Sequence, residues 1–339
     1  MTTMRNRMCF AWLAWMMASA VVGWANESPA PPRMYFADTA SGRLFSKDPA
    51  VVKFQGRYWL YYSLPPYAEK ATKGWSIGIA HSDNLVDWTK VGEIPNSGQV
   101  EQNGLCAPGA IVLGDRVHLF YQTYGNGPRD AICHAWSQDG IRFQRNPTNP
   151  IVQPTGAWNC GRAIDADVIV WKGQLLLYWA TRDPEFKIQM QGVSAAPVDS
   201  DLARDKWTQL NLDGPILKPE LPWEGRCIEA AAMAQRDGRL YMFYAGSYNN
   251  EPQQIGVAVS DDGVRFERMS DRPFLPAGPP GSWNSSESGH PYLFQDDDGR
   301  DWLFYQGNND RGKTWYLSVV PIAWQAGRPR LDWDSLPER

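Results

Sequence analysis

The 339-residue chain is 43% hydrophobic and 21% charged, a globular rather than a disordered balance. A net charge of −4 without any long basic run gives no footing for nucleic acid or an anionic membrane surface. Aromatics are the excess, with 17 Trp, 14 Tyr and 12 Phe; twisted sheets favour them, and sugar faces stack on them.

The chain opens with a segment to be set apart from the fold. Arg5 and Arg7 precede an apolar stretch, Cys9 to Val22, and Gly23-Trp24-Ala25 supplies small residues before a Pro-rich run. This predicts a secretory signal peptide over residues 1–25, cleaved near Ala25, and a secreted or periplasmic mature protein. No second stretch is long and apolar enough for a membrane anchor. Cys9 lies ahead of the apolar core, badly placed for lipid attachment. Four cysteines remain, Cys106, Cys133, Cys160 and Cys227. An oxidising compartment would permit any of three pairings, or all four stay thiols. Nothing in the sequence speaks to oligomeric state.

From Lys47 onward one layout recurs five times: a polar head, an apolar strand, a turn and an aromatic strand. The units are KDPAVVKFQGRYWLYYS from Lys47, CAPGAIVLGDRVHLFYQTY from Cys106, IDADVIVWKGQLLLYWAT from Ile164, IEAAAMAQRDGRLYMFYAG from Ile228 and GHPYLFQDDDGRDWLFYQG from Gly289. Aligned on Asp48, Ala107, Asp165, Glu229 and His290, successive heads are 59, 58, 64 and 61 residues apart. A repeat of that period built on hairpins indicates a propeller or a solenoid. In units one, two and four a third strand, an Asp-rich turn and a fourth strand follow, as in Ile255–Ser260, Asp261-Asp262-Gly263 and Val264–Glu267. Unit three is looser, and its Asp199–Asp205 segment is the best candidate for a short helix. Four antiparallel strands per unit make a blade. The reading is an all-β fold: a five-bladed β-propeller, four antiparallel strands per blade, in one catalytic domain over residues 26–339.

In a propeller the first strand of each blade lines the central channel, so the five heads converge at one mouth. Three carboxylates and an imidazole meet there. Like charges held together raise one another's pKa, and a protonated carboxylic acid beside ionised ones is what glycosidic-bond hydrolysis requires.

The heads resemble those of glycoside hydrolase family 43 and its five-bladed relatives. Lys47-Asp48-Pro49 is similar to the general-base motif. Cys106-Ala107-Pro108 is similar to the second-blade motif, with Cys for Trp. Ile164-Asp165 is similar to the motif of the pKa-modulating Asp, and Ile228-Glu229-Ala230 to that of the general acid, with Ala231 where Pro is usual. The resemblance covers residues 40–325. It implies inversion of configuration with Asp48 as base, Asp165 as modulator and Glu229 as acid, on a plant or algal poly- or oligosaccharide of the arabinofuranosidase, xylosidase or galactanase kind. No cofactor is required. Gly289-His290 resembles a blade-five His that in some members holds a calcium or other ion through water, which makes His290 a candidate ion site in the channel.

Alternatives stay open. Asp167, on the same strand face as Asp165, competes for the modulator role, and Glu224 and Glu287 lie near heads four and five. Trp75, Trp158, Trp223 and Trp283 fall in loops that could wall a sugar subsite. Arg162 could bind a hydroxyl or a carboxylate, and Arg311 sits where relatives place a sugar-binding Arg. Gly125-Asn126-Gly127 and Tyr248-Asn249-Asn250 leave comparable strands and could reach the same mouth. An anhydrogalactosidase-type enzyme with His290 as acid, a fructan-type enzyme, and a non-catalytic carbohydrate-binding propeller are the competing readings.

Overall fold

Five four-stranded antiparallel sheets follow one another along the chain, each with its strands in sequence order. The computed structural model describes Met1, residues 34–67 and residues 73–335; apart from Met1, the expected signal peptide lies outside the described residues. The innermost strands are Lys47–Phe54, Leu105–Leu113, Ile164–Trp171, Ile228–Arg236 and Glu287–Gln295. Each packs against the innermost strand of the next blade, and the fifth returns to the first. The ring is a five-bladed β-propeller.

Closure is made by the segment ahead of blade one. Phe36 and Phe45 bridge Leu317 and Trp315 of blade five, and the Ser46 N–H donates to the Trp315 carbonyl at 3.1 Å. Between blades the cores are apolar and aromatic. One cluster joins blade one to blades two and five, and others join blades two and three, three and four, and four and five. Tyr61, Tyr178 and Tyr241 bury their rings there, and each hydroxyl donates to a turn carbonyl of the next blade, Gly140, Gly263 and Gly327, at 2.9–3.0 Å. A buried phenol needs that partner, and the sequence places a Tyr and a turn Gly where each can serve the other.

The outermost strands of blades two and four are shorter than expected, two residues each, and that of blade three is equally short. The turn accounts for this in blades two and four. Asp139 Oδ1 accepts the Ile141 and Arg142 N–H groups, and Asp262 Oδ1 accepts those of Val264 and Arg265, so those donors serve the turn rather than a ladder. The short helical turn in blade three is at Arg204–Lys206.

Candidate active site

A bulge opens every innermost strand at its head. Lys47 pairs with Ser63 and Ala50 with Tyr61, leaving Asp48 and Pro49 opposite a single residue, and the same slip recurs in all five blades. The first bulged residue lies in the left-handed region each time: Asp48 (φ 53), Ala107 (φ 46), Asp165 (φ 52), Ala230 (φ 52) and His290 (φ 41). Such backbone costs about 1–3 kcal/mol per residue outside glycine, and bulges next to active sites re-aim side chains. Pro49, Pro108 and Pro291 follow it, where no ladder N–H is needed.

This geometry corrects the alignment of heads. The equivalent of Asp48 in blade four is Ala230, and Glu229 occupies the position before the bulge, that of Lys47, Cys106, Ile164 and Gly289. The two positions flanking the slip together line the mouth, so Glu229 still reaches it, from the other side of the bulge.

The left-handed residues are pinned across blade boundaries. The N–H of Asp48 donates to Gln306 Oε1 (2.9 Å), that of Ala107 to Ser63 Oγ (2.7 Å), that of Asp165 to Gln122 Oε1 (2.9 Å) and that of His290 to Gln253 Oε1 (3.0 Å). Three of these acceptors sit at one repeated position, after the aromatic pair of a second strand: Tyr61-Tyr62-Ser63, Phe120-Tyr121-Gln122 and Phe304-Tyr305-Gln306. Sequence reasoning missed them, although the repeat alignment displays the polar residue.

Asp48, Asp165 and Glu229 line one cavity of about 550 Å³, with Lys47, His290, Trp75, Arg162 and Arg311 on its wall. All three carboxylates are buried, 6–8% exposed. Burial opposes ionisation of Asp48, but His290 (Nδ1 to Oδ1, 3.2 Å), Lys47 and a hydrogen bond from Ser63 outweigh it and hold the carboxyl below its usual range. Burial, then the Glu229 and Asp48 charges, push Asp165 well above that range. Glu229 accepts from Gln189, from Gln253 Nε2 at 2.6 Å and from the Cys227 thiol. Lys47 donates to Asn249 Oδ1 at 2.5 Å, and the surrounding carboxylates keep it charged against the cost of burial. The site therefore favours an ionised Asp48 across from an Asp165 that holds on to its proton.

Other expected residues lie elsewhere. Asp167 points down the channel, where its carboxylate accepts the Met233 N–H at 2.7 Å and burial raises it to about 7. It does not line the cavity. Trp158, Trp223 and Trp283 are also outside it. They cover second strands, stacked on Trp179 and Tyr244 and tilted on Tyr305, and the flat glycines Gly246 and Gly307 admit the last two. Their loops close blade edges rather than the mouth. Glu224 is held by Arg268, Tyr244 and two backbone N–H groups, and Glu287 by Gln306 and the Asn250 N–H; neither lines the cavity. Tyr248, Asn249 and Asn250 line it, but Gly125, Asn126 and Gly127 do not.

His290 spends Nδ1 on Asp48, and burial holds it below its usual pKa. Among the described residues no group of three or more His, Cys, Asp or Glu side chains is arranged to hold a metal, so an ion here has no set of direct protein ligands. The four described cysteines are unpaired thiols.

Residues 39–328 match the family model described as Glycosyl hydrolases family 43. The chain belongs to that family. A 1,2-β-oligomannan phosphorylase from Thermoanaerobacter sp. (strain X514) is 25% identical over 222 residues, 63% of this chain and 67% of that protein. Xylosidase/arabinosidase 43A from Humicola insolens is 29% identical over 150 residues, 42% of this chain and 43% of its own. The second alignment thus spans less than half of that relative. Among solved structures, a thermostable family-43 glycoside hydrolase superposes with a TM-score of 0.66 at 20% identity, covering 87% of this chain and 95% of its own. This family-43 member is a glycoside hydrolase built on the five-bladed fold.

Proposed function

We propose that the protein is a secreted or periplasmic glycosidase that cleaves a plant or algal poly- or oligosaccharide by inversion, acting on arabinofuranosyl, xylosyl or galactosyl bonds and needing no cofactor. The observation that carries this is the meeting of three carboxyls in one cavity, with Asp48 held below its usual range by His290 and Lys47 and Asp165 pushed above it by burial and its neighbours' charges. Asp48 takes the proton of a water as that water attacks the anomeric carbon. Glu229 gives a proton to the departing oxygen and becomes a carboxylate, and Asp165, coupled to it by charge, sets how readily Glu229 takes up and releases that proton. Trp75, half-buried and edge-on to Phe45, offers a face to the sugar at the rim. A His290 acid is less well supported, because burial lowers its proton affinity and it serves Asp48. The test is a screen of aryl glycosides and plant and algal oligosaccharides, with product anomers read by proton NMR. Inverted product from the wild type, lost in Asp48→Asn and Glu229→Gln, is expected. Retained configuration, or variants as fast as wild type, would sink the assignment.

A further inference from the structure

The cavity wall between blades three and four is more cationic than hydrolysis of a neutral sugar needs. Arg162 leads into the innermost strand of blade three, and Arg182 ends its second strand. Both line the cavity, as does Tyr248 from blade four. The guanidinium carbons lie 5.9 and 4.6 Å from the Phe186 ring centroid, and Arg182 also lies 5.3 Å from that of Tyr248. Aromatic faces thus hold two like charges close together.

Arg162 is only partly neutralised, and Arg182 has no carboxylate paired with it among the described residues. Arg162 forms an ion pair with Asp130, 3.7 Å from Nε and too long for a hydrogen bond, and its charge also reaches the Asp165 carboxyl. Asp130 already accepts from Thr123 and the Asn126 N–H, and the Arg162 Nε is buried without a hydrogen-bond partner. Arg182 makes no ion pair among the described residues; its Nε donates to Gln189 Oε1 at 3.0 Å. Gln189 in turn donates to Glu229. Paired guanidiniums with open donor edges, one partly desolvated, match a planar or tetrahedral oxyanion.

We propose that Arg162 and Arg182 form a subsite for an oxyanion carried by the substrate, a carboxylate or sulfate ester on one of the two sugars flanking the cleaved bond. This rests on the glycosidase reading above. Arg182 is tied through Gln189 to Glu229, the proton donor, whereas the attacking group approaches from the Asp48 side. A substituent beside the departing oxygen fits that placement, and a free inorganic anion acting as nucleophile does not.

The experiment measures binding by calorimetry and turnover by product analysis, using the full chain. The probes are glucuronoxylan and pectic oligosaccharides with their carboxyl-reduced counterparts, carrageenan oligosaccharides with their desulfated counterparts, and inorganic phosphate. At least one acidic probe should bind about tenfold or more tightly than its neutralised counterpart. Uronate and sulfate arms tell the two sources apart. Arg182→Gln and Arg162→Gln should each collapse that ratio toward unity. Arg182→Lys, which keeps charge without the fork, should retain part of it, and unchanged melting midpoints exclude misfolding. A wild type with no acidic preference, or a preference that survives both Gln variants, overturns the proposal. So does phosphate-dependent release of a sugar phosphate. An acidic preference in binding without cleavage of any probe upholds the subsite and rejects the glycosidase reading.

Discussion

At one end of the channel the innermost strands present Lys47, Asp48, Asp165, Glu229 and His290 around a cavity of about 550 Å³. A few residues further along, the same strands present Val51, Ala110, Val168, Met233 and Tyr292 around a second cavity of about 420 Å³. The backbone separates the two ends. At the heads a bulge interrupts pairing and a left-handed residue turns Asp48, Asp165 and His290 inward, each pinned by a hydrogen bond from its own N–H to a Gln of a neighbouring blade. Beyond the bulge pairing is regular, so the inward positions carry packing residues. Asp167 lies between, a buried carboxyl with backbone donors from Met233 and Val168 and no cation beside it among the described residues. A buried carboxyl therefore stays ionised at Asp48, where His290 and Lys47 stand beside it, and is pushed toward its protonated form at Asp167, where burial is opposed by backbone donors alone.

The largest expected effect breaks the charged end alone. Asp48→Asn should lower kcat by about 10³-fold or more, with little change in melting midpoint, because Asn also tolerates the left-handed region. Comparable turnover in steady-state assays would move the base elsewhere. Glu229→Gln should cost about 10²-fold or more, with the smaller loss on substrates whose leaving group needs little protonation; a loss independent of leaving group would deny it the acid role.

The opposite end should respond in stability only. Met233→Ala, in the second cavity, is expected to cost about 2–5 kcal/mol in denaturant unfolding while kcat stays within about twofold. A fall in kcat as large as that of Glu229→Gln would show that the two ends are not separable.

The smallest effect is a slope. Burial raises Glu287 from 4.5 to about 8, against the opposing Lys47 charge and the Gln306 and Asn250 bonds, and raises Asp167 from 3.8 to about 7. Both hold protons in the fold that the unfolded chain releases, so their contribution is complete below pH 4 and is lost as pH climbs through 7 and 8. The melting midpoint of wild type should fall across that window. Glu287→Gln should flatten the decline, and an unchanged slope would mean that Glu287 does not carry the proton.

The period of about 60 residues and its strand-turn-strand units were legible because turn chemistry and alternation are local signals. Convergence of the heads followed from the repeat. The one-residue displacement of Glu229 did not, although Pro49, Pro108 and Pro291 mark the register and Ala231 is its blade-four equivalent. Trp75, Trp158, Trp223 and Trp283 looked alike in sequence, yet of these four only Trp75 lines the cavity, where Trp315 joins it.

By itself the sequence determined the ring: five units, their order, and a set of acids at the mouth. Tertiary structure alone decided which side of each bulge faces the cavity, which carboxyl keeps its proton, and that Arg182, unmarked by any motif, stands beside Arg162. The physical reason is range. Strand and turn formation depend on neighbours within a few residues, whereas burial, charge coupling and the pairing of guanidiniums depend on groups that meet only when the blades close.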